Sequence, residues 1–296
     1  MVTPPVDVSG PVIDLHSHTN ASDGTLTPAE LVALAKTKNL SSLAITDHDT
    51  FEGYEIAVPL AQASGLDLVR GIELNSRLLI EGSAQPRFVH ILVYFPSRHP
   101  SEGFQSWLAE QRTDRRSRNA KLAKALQDRG VNITLQEVEA RGRTLAGRPH
   151  FARILVEKGY VTNFEDAFHK YLGEDAPSYV ERESNTTEEV IDLALQGGGI
   201  PVVAHPIRIG LARAVEHDVL TRFKQAGLVG LEVYHSDHPP ALQQYYRVLA
   251  DELELLPTGG SDFHGAVKPD TELGTGRAHN LRVPAEFLEG LRRFVQ

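Results

Sequence analysis

Short apolar runs rich in β-branched residues recur along this chain, and most of them are followed by a segment with helical spacing. This alternation is typical of strands joined by crossover helices, which form mostly parallel sheets. The runs that fit strands are 12–16, 42–47, 66–74, 88–95, 200–205, 228–235 and 254–262. Thr27, Pro28 and Glu30 have the spacing of an N-cap, a first-turn proline and a capping box at the start of one intervening helix. Seven strands separated by helices predict an α/β barrel.

Residues 100–184 break this rhythm with helical, charge-rich sequence such as FQSWLAEQRTDRRSRNAKLAKALQDRG. We predict that they form a helical insertion after the fourth strand, and that residues 1–99 and 185–296 form the barrel. Segments that follow strands in a parallel barrel lie over the face where active sites are built. The insertion is therefore expected to act as a lid or a substrate-recognition subdomain.

The composition excludes some kinds of partner and some kinds of metal ligand. A formal net charge of -9 disfavours a protein that coats nucleic acid by bulk electrostatics. The absence of cysteine leaves His, Asp and Glu as ligands for a tightly bound transition metal. The N-terminus lacks the pattern of a signal peptide, and no run approaches the roughly 20 apolar residues that span a bilayer. We therefore expect a cytoplasmic globular protein with no membrane contact and no obligate protein partner.

Histidines and carboxylates cluster at the predicted strand ends. His16 and His18 lie two residues apart, so a strand directs both side chains to one face. Further candidates in the strands or close behind them are Asp23, His48, Glu73, His90, His205, Asp262 and His264. In a parallel barrel these side chains would meet at one mouth. Because buried polar groups without partners are costly, the pattern predicts a metal cluster, with Asp47 and Asp49 orienting His48.

Six short motifs follow one another along the barrel segments: DLHSHT, ITDH, GIE, VHIL, AHP and SDFH. Their order resembles that of the PHP (polymerase and histidinol phosphatase) domain family. The resemblance implies a distorted seven-stranded (β/α) TIM-like barrel that holds two or three divalent metal ions and hydrolyses phosphoesters. Mn2+ is the expected ion, with Zn2+, Fe2+ and Mg2+ as alternatives.

The same resemblance divides the candidate ligands among three metals. The first would be held by His16, His18, Glu73 and Asp262, the second by Glu73, His90 and His205, and the third by Asp23, His48 and His264. Glu73 would bridge the first two metals, where a hydroxide is expected to attack phosphorus. Asp23 stands where many members of the family have a histidine.

The insertion carries cations that suit a phosphate group. Arg148 and His150 begin an expected helix whose first turn holds a proline, and a helix N-terminus with an adjacent arginine favours anions. Arg143 and Lys170 are expected to add positive charge near the substrate. A bound water or a histidine such as His235 is expected to protonate the leaving oxygen, and His235 is a further expected substrate contact.

The stretch GRPHFARILVEKGYV resembles the insertion of bacterial PHP proteins that remove phosphate from 3',5'-bisphosphonucleotides or digest short RNA from its 5' end. This resemblance implies a small nucleotide substrate, with short RNA as a second one. The 5'-phosphate would be recognised while the 3'-phosphoester is cleaved, which leaves a nucleoside 5'-monophosphate.

Three other functions remain open at this point. Another PHP phosphatase would act on histidinol phosphate or a sugar phosphate. A related barrel amidohydrolase would cleave C-N bonds, but it is expected to have a bridging lysine on a middle strand, whereas here Glu73 takes that role. A non-catalytic accessory module of a polymerase would not need a complete ligand set.

Overall fold

The computed structural model describes residues 11–80, 85–142, 146–173, 175–180 and 185–294. Within these ranges eight strands form one sheet in the order β7-β6-β5-β4-β3-β2-β1-β8. The strands are β1 (Val12–Asp14), β2 (Leu40–Ile45), β3 (Asp67–Leu78), β4 (Arg87–Phe95), β5 (Ile200–Val203), β6 (Gly230–His235), β7 (Leu256–Gly260) and β8 (Val283–Pro284). The seven strands predicted from the sequence are all present, and the α/β fold is confirmed.

The chain that follows β1 contacts the end of β7, which lies at the other side of the sheet. Leu15 N donates to Gly259 O at 3.1 Å, and Asp262 N donates to His16 O at 2.8 Å. These bonds connect the residues that follow β1 with those at the end of β7, so the sheet nearly closes into a barrel. The eighth strand, β8, pairs antiparallel with β1, and with two residues it is too short to show a pattern in the sequence.

The direction of β4 differs from the prediction of an all-parallel barrel. In β4, Leu92 pairs with Glu73 of β3, and Ile91 pairs with Val203 of β5, both in antiparallel register. The connection from Leu78 to Arg87 is too short for a crossover helix, which parallel neighbours require, whereas antiparallel neighbours can be joined by a hairpin. The expectation of parallel pairing was therefore wrong for this strand.

Three strands end two residues before a predicted metal ligand. β1 ends at Asp14, ahead of His16, and the same spacing separates the ends of β5 and β7 from His205 and Asp262. The backbone at His205 and Asp262 is left-handed, with φ of 27° and 54°. Such a conformation is uncommon for residues other than glycine and is concentrated at functional sites. His205 and Asp262 therefore lie in tight turns just beyond their strands, whereas Glu73 and His90 lie within β3 and β4.

Ten α-helices occur within the described ranges. They are α1 (Pro28–Thr37), α2 (Glu52–Ser64), α3 (Glu102–Gln127), α4 (Leu135–Gly142), α5 (Arg148–Glu157), α6 (Phe164–Ala167), α7 (Thr187–Gln196), α8 (Arg213–Gln225), α9 (Pro240–Glu252) and α10 (Glu286–Phe294). The predicted capping box of α1 is present, because Thr27 Oγ1 accepts from Glu30 N and Glu30 Oε2 accepts from Thr27 N. No helix in the described part of the chain is long and apolar enough to cross a membrane.

Helices α3 to α6 form the segment predicted as an insertion, and they pack around a small core of their own that includes Leu126, Phe151 and Leu155. Because β4 is antiparallel, it ends at the far side of the barrel, where Ser101 N donates to Gly197 O. The 26 residues of α3 span about 39 Å and carry the chain back to the mouth. There Arg115 pairs with Asp49. The insertion therefore reaches the mouth along a helix.

Candidate metal centre

All of the predicted metal ligands gather at one mouth of the barrel. Their potential ligand atoms fall into three groups, and within each group these atoms lie within 4.8 Å of one another. The groups are His16, His18, Glu73 and Asp262; His48, Glu73 and His90; and His18, Asp23, His48 and His264. The first group has the composition expected for the first metal. The other two share His48 or His18 with a neighbouring group, so the three groups form one continuous cluster.

Glu73 lies at the centre of this cluster. Its Oε2 is 3.3 Å from His16 Nε2 and 3.0 Å from His18 Nε2. Its Oε1 is 2.7 Å from His90 Nδ1 and 3.0 Å from His205 Nε2. The two oxygens of one carboxylate therefore face two different pairs of imidazoles, which is the arrangement that a bridging ligand requires.

Asp23 lies at the edge of the cluster in the loop that follows His18. Its Oδ1 is 3.2 Å from His264 Nε2 and 3.7 Å from His18 Nδ1, and its Oδ2 is 3.7 Å from His48 Nε2. The structure thus brings together the residues expected to hold a third ion. A carboxylate in this place favours a hard cation such as Mn2+ or Mg2+.

Several imidazole nitrogens in the cluster have no hydrogen-bond partner although they are buried. They are His16 Nε2, His18 Nε2 and His48 Nδ1. Each of them faces a carboxylate oxygen of Glu73 at 3.0 to 3.4 Å. Buried polar atoms in folded proteins are nearly always paired, so the missing partner has to be supplied. A divalent cation between the imidazoles and the carboxylates would supply it, and the residues present fit such a group.

The charges of the cluster shift the pKa values of its members. Burial opposes a charge on His16 and His18, but nearby carboxylates raise the pKa of His16 well above its ordinary value and that of His18 to about 9. Burial also opposes the charged forms of Glu73 and Asp262, and the neighbouring cationic groups still hold both pKa values well below the usual range. Without metal, His16 and His18 therefore hold protons beside ionised carboxylates, whereas burial lowers the pKa of His48 to about 4.

Asp47 and Asp49, which were expected to orient His48, lie on either side of it, and the carboxylate of each has a contact elsewhere. Asp47 accepts hydrogen bonds from Thr19 N at 2.8 Å and from Ser22 Oγ at 2.6 Å, so it fixes the loop between His18 and Asp23. Asp49 pairs with Arg115 of α3 and connects the insertion to the mouth.

A cavity of about 300 Å³ opens over the cluster. Part of its wall consists of metal-ligand candidates such as Glu73 and Asp262, and another part comes from the insertion. The insertion contributes Arg148, whose guanidinium carbon lies 5.8 Å from the ring centre of Phe168 and 5.9 Å from that of Tyr179. The cavity therefore combines an anionic and imidazole-rich surface with a cationic and aromatic one.

The predicted substrate-binding residues of the insertion have different locations. Arg148 lines the cavity. The His150 imidazole is buried, and its Nδ1 accepts from Gly147 N at 3.1 Å, so this side chain closes the start of α5 and is not among the described residues of the cavity wall. Lys170 pairs with Asp166 at 2.9 Å on the surface. Arg143 lies outside the described residues.

His235 is placed behind Asp262 and not in the cavity wall. It is fully buried, its Nδ1 accepts from Asp237 N at 2.9 Å, and its Nε2 lies 3.5 Å from Asp262 Oδ2. This geometry offers no contact with a molecule in the cavity, so it does not support the expected roles of general acid and substrate contact. The Nε2 proton faces a ligand carboxylate instead.

Two cations in the wall were not singled out from the sequence. Arg208 Nη1 and Lys268 Nζ lie 2.7 Å and 2.6 Å from Asp262 Oδ2. Arg208 follows the AHP motif on a short 3-10 turn (Pro206–Ile209), which is a signal that the sequence does contain. Lys268 stands in a loop with no recognisable pattern.

Comparisons with known proteins agree with this geometry. The profile of the PHP domain matches residues 14–172. A 5'-3' exoribonuclease of Escherichia coli is 34% identical over 89% of this chain and 88% of its own length, and one of Haemophilus influenzae is 32% identical over 85% and 89%. A 3',5'-nucleoside bisphosphate phosphatase of Chromobacterium violaceum is 29% identical over 88% and 90%.

Two solved structures have a similar fold over almost the whole chain. A protein from Bifidobacterium adolescentis described as a metal-dependent phosphoesterase superposes with a TM-score of 0.80 at 32% identity, covering 98% of this chain and 96% of its own. A Chromobacterium violaceum structure described as an amidohydrolase with bound sulfate and no metal has a TM-score of 0.79 at 27% identity, covering 95% and 96%. The chain belongs to the PHP domain family of metal-dependent phosphoesterases, and it is a hydrolase.

Proposed function

We propose that this protein hydrolyses the 3'-phosphate of nucleoside 3',5'-bisphosphates, for example adenosine 3',5'-bisphosphate (pAp) to AMP and phosphate. The observation that carries the proposal is the cavity, which has a candidate metal cluster in one part of its wall and Arg148 with aromatic rings in another. A bisphosphate needs one place for the phosphate that is cleaved and a second for the phosphate that is held. The name of the Chromobacterium violaceum relative supports the same substrate.

The second phosphate and the nucleoside would lie against the insertion. Arg148 is at the first turn of α5, where the helix N-terminus favours an anion and a guanidinium can bind a phosphate with two hydrogen bonds. The rings of Phe168 and Tyr179 beside it offer faces on which a base can stack. We therefore assign the 5'-phosphate to Arg148 and the base to these rings.

The phosphate that is cleaved would lie against the cluster. Divalent ions bound there would polarise the phosphoryl oxygens and make water a better nucleophile at neutral pH. Glu73 would hold two ions, and Asp262, which lies in the same group as Glu73, would hold one of them. Arg208 and Lys268, which lie beside Asp262 in the cavity wall, would neutralise charge on the phosphoryl group. We infer Mn2+ as the ion because the donors are imidazoles and carboxylates without thiolate.

Short 5'-phosphorylated oligoribonucleotides are a second candidate substrate. The relatives from Escherichia coli and Haemophilus influenzae, at 34% and 32% identity, are named 5'-3' exoribonucleases. An RNA end presents the same 5'-phosphate as a bisphosphonucleotide, and its first phosphodiester stands where the bisphosphonucleotide has its 3'-phosphomonoester. The same residues would then hold either substrate, with the rest of the RNA leaving through the open side of the cavity.

A panel of substrates tests the proposal. The Mn2+-loaded protein is given pAp, 3'-AMP, histidinol phosphate and a trinucleotide with or without a 5'-phosphate, and kcat/KM is measured for each. We expect pAp to exceed 3'-AMP by about 100-fold, because a charged hydrogen bond to the 5'-phosphate contributes roughly 1.5–3 kcal/mol. Histidinol phosphate as the best substrate would overturn the proposal in favour of another PHP phosphatase.

The variant Arg148→Met sharpens the test. It should lower kcat/KM for pAp and leave that for 3'-AMP unchanged, because 3'-AMP has no 5'-phosphate for the arginine to hold. Lys170→Met, which removes a surface cation of the same insertion, is the matched control and should change neither value. An equal loss on both substrates in the Arg148 variant would count against its assignment to the 5'-phosphate.

A further inference from the structure

Glu232 is a fully buried carboxylate next to the metal centre, and neither the ligand groups nor the cavity wall includes it. It lies in β6 and pairs in register with Thr258 of β7. A carboxylate without solvent is costly unless its oxygens accept strong hydrogen bonds. The groups that donate hydrogen bonds to its two oxygens therefore indicate the role of this carboxylate.

Each oxygen of Glu232 contacts a different candidate ligand. Oε1 lies 2.9 Å from Nδ1 of His16. Oε2 accepts from the backbone N of His205 at 2.6 Å. His16 belongs to the group expected for the first metal, and His205 faces the Oε1 side of Glu73. The side chain of Glu232 thus connects His16 and His205, which lie in two different parts of the cluster.

The contact with His16 determines which nitrogen of the imidazole can bind a metal. A carboxylate beside Nδ1 keeps the single proton of the neutral ring on that nitrogen, so the lone pair of the metal-binding form is on Nε2. Nε2 is the atom that lies 3.3 Å from Glu73 and has no hydrogen-bond partner. The hydrogen bond also fixes the plane of the ring.

The contact with His205 holds a strained backbone. His205 has a φ of 27° and a ψ of 62°, in a region that residues other than glycine rarely adopt. Its backbone N-H donates to Glu232 Oε2, so the carboxylate holds the chain at the start of this turn. The hydrogen bond at 2.6 Å therefore helps to keep the imidazole of His205 directed at Glu73.

We propose that Glu232 is the positioning residue of the metal centre, which sets the Nδ1-H tautomer of His16 and fixes the turn of His205 so that both imidazoles are ready for metal. The requirement is for two acceptor oxygens, because both partners present an N-H. A glutamine has the same shape but only one acceptor oxygen. In one orientation the NH2 group of the glutamine would face the N-H of His205, and two donors would meet. In the other orientation it would donate to Nδ1 of His16, which would place the proton of this imidazole on Nε2, the metal-binding nitrogen.

This proposal rests on the proposed metal centre and not on the substrate, so binding of Mn2+ alone tests it. The dissociation constants and the number of bound ions are measured for wild type, Glu232→Gln and Glu232→Asp by equilibrium dialysis. We expect Mn2+ to bind the glutamine variant about 10-fold to 100-fold more weakly. The aspartate variant should bind more tightly than the glutamine variant because it keeps both acceptors, whereas a role in packing alone would give the opposite order.

Glu216→Gln is the matched control. Glu216 is also buried, but its oxygens meet the hydroxyls of Tyr245 and Tyr246 at 3.0 Å and 2.9 Å. A hydroxyl can donate or accept, so glutamine satisfies both contacts and Mn2+ binding should equal that of wild type. Wild-type affinity in the Glu232→Gln variant would overturn the proposal. Absence of Mn2+ binding in the wild-type protein would instead overturn the proposed metal centre.

A measurement on the wild-type protein covers the case in which the variants do not fold. Loaded with Zn2+, which is diamagnetic, the protein should show in 15N-resolved NMR a His16 imidazole with its proton on Nδ1 and none on Nε2. A His16 protonated on Nε2 in the loaded protein would contradict the proposal.

Discussion

Nη1 of Arg208 lies 2.7 Å from Oδ2 of Asp262, a carboxylate that also belongs to the candidate metal centre. Lys268 contacts the same oxygen at 2.6 Å, and both cations line the cavity. The other oxygen of Asp262 faces His16 and His18. The carboxylate of Asp262 thus lies between the histidines of the ligand cluster and two cations of the cavity wall. A phosphoryl group bound in the cavity could contact these cations.

Replacing Arg208 by methionine should lower kcat/KM for pAp about 100-fold, because a charged hydrogen bond to the phosphoryl group is lost. Inorganic phosphate should also inhibit the variant more weakly. Steady-state kinetics with phosphate as an inhibitor measure both effects. Arg116→Met, which removes an exposed arginine paired with Glu139, should change neither. Unchanged inhibition by phosphate in the Arg208 variant would show that this side chain does not hold the phosphoryl group.

Glu73→Gln should abolish hydrolysis, with a loss of at least about 1000-fold, because a neutral amide cannot bridge two cations. The same variant should bind less metal. Inductively coupled plasma mass spectrometry measures the metal content. Glu272→Gln removes an exposed carboxylate that pairs with Lys38 and should retain both activity and metal. Full turnover with a full complement of metal in the Glu73 variant would refute the bridging role.

Asp23→Ala should reduce the number of bound Mn2+ ions by one per chain, because it removes the only carboxylate of its group among the described residues. Asp23→His should restore the count, since an imidazole is also a ligand and many relatives are expected to have histidine there. Equilibrium dialysis gives the number of ions. An unchanged count in the alanine variant would mean that Asp23 holds no metal.

Binding of metal near pH 7 should release protons. The pKa of His18 is about 9 in the metal-free centre, because the neighbouring carboxylates of Asp262, Glu73 and Asp23 outweigh its burial. Below that pH the imidazole is protonated, whereas a metal ligand must be neutral, so the affinity for Mn2+ should rise as the pH approaches 9. Calorimetry in two buffers with different heats of ionisation measures the release. A heat of binding that does not depend on the buffer would contradict this expectation.

The ligand cluster could be predicted from the sequence because the barrel topology places the ends of its strands together. The spacing of His16 and His18 and the positions of Glu73 and Asp262 behind apolar runs were sufficient for this. The direction of β4 was missed because the alternation of side chains is the same for both directions of a strand. The short connection between Leu78 and Arg87 was the available clue.

The residues that support the ligands could not be predicted in the same way. The contacts of Arg208 and Lys268 with Asp262 depend on how the loops fold back over the mouth, and the position of Arg208 after the AHP motif was the one local clue to them. Glu232 did leave a signal, because a glutamate inside the apolar run LVGLEVYH has to be paired if the strand is buried. His150 looked like an anion ligand, but its imidazole satisfies Gly147 N instead.

The central claim is that this centre removes the 3'-phosphate in a metal-dependent reaction. It is tested most directly by incubating pAp with the Mn2+-loaded protein, or with the same protein after removal of metal by a chelator, and identifying the products by 31P NMR once the paramagnetic Mn2+ has been removed from the stopped reaction. We predict that the loaded protein forms 5'-AMP and inorganic phosphate, that the stripped protein forms neither, and that added Mn2+ restores the reaction. Formation of 3'-AMP, or undiminished hydrolysis after removal of metal, would contradict the claim.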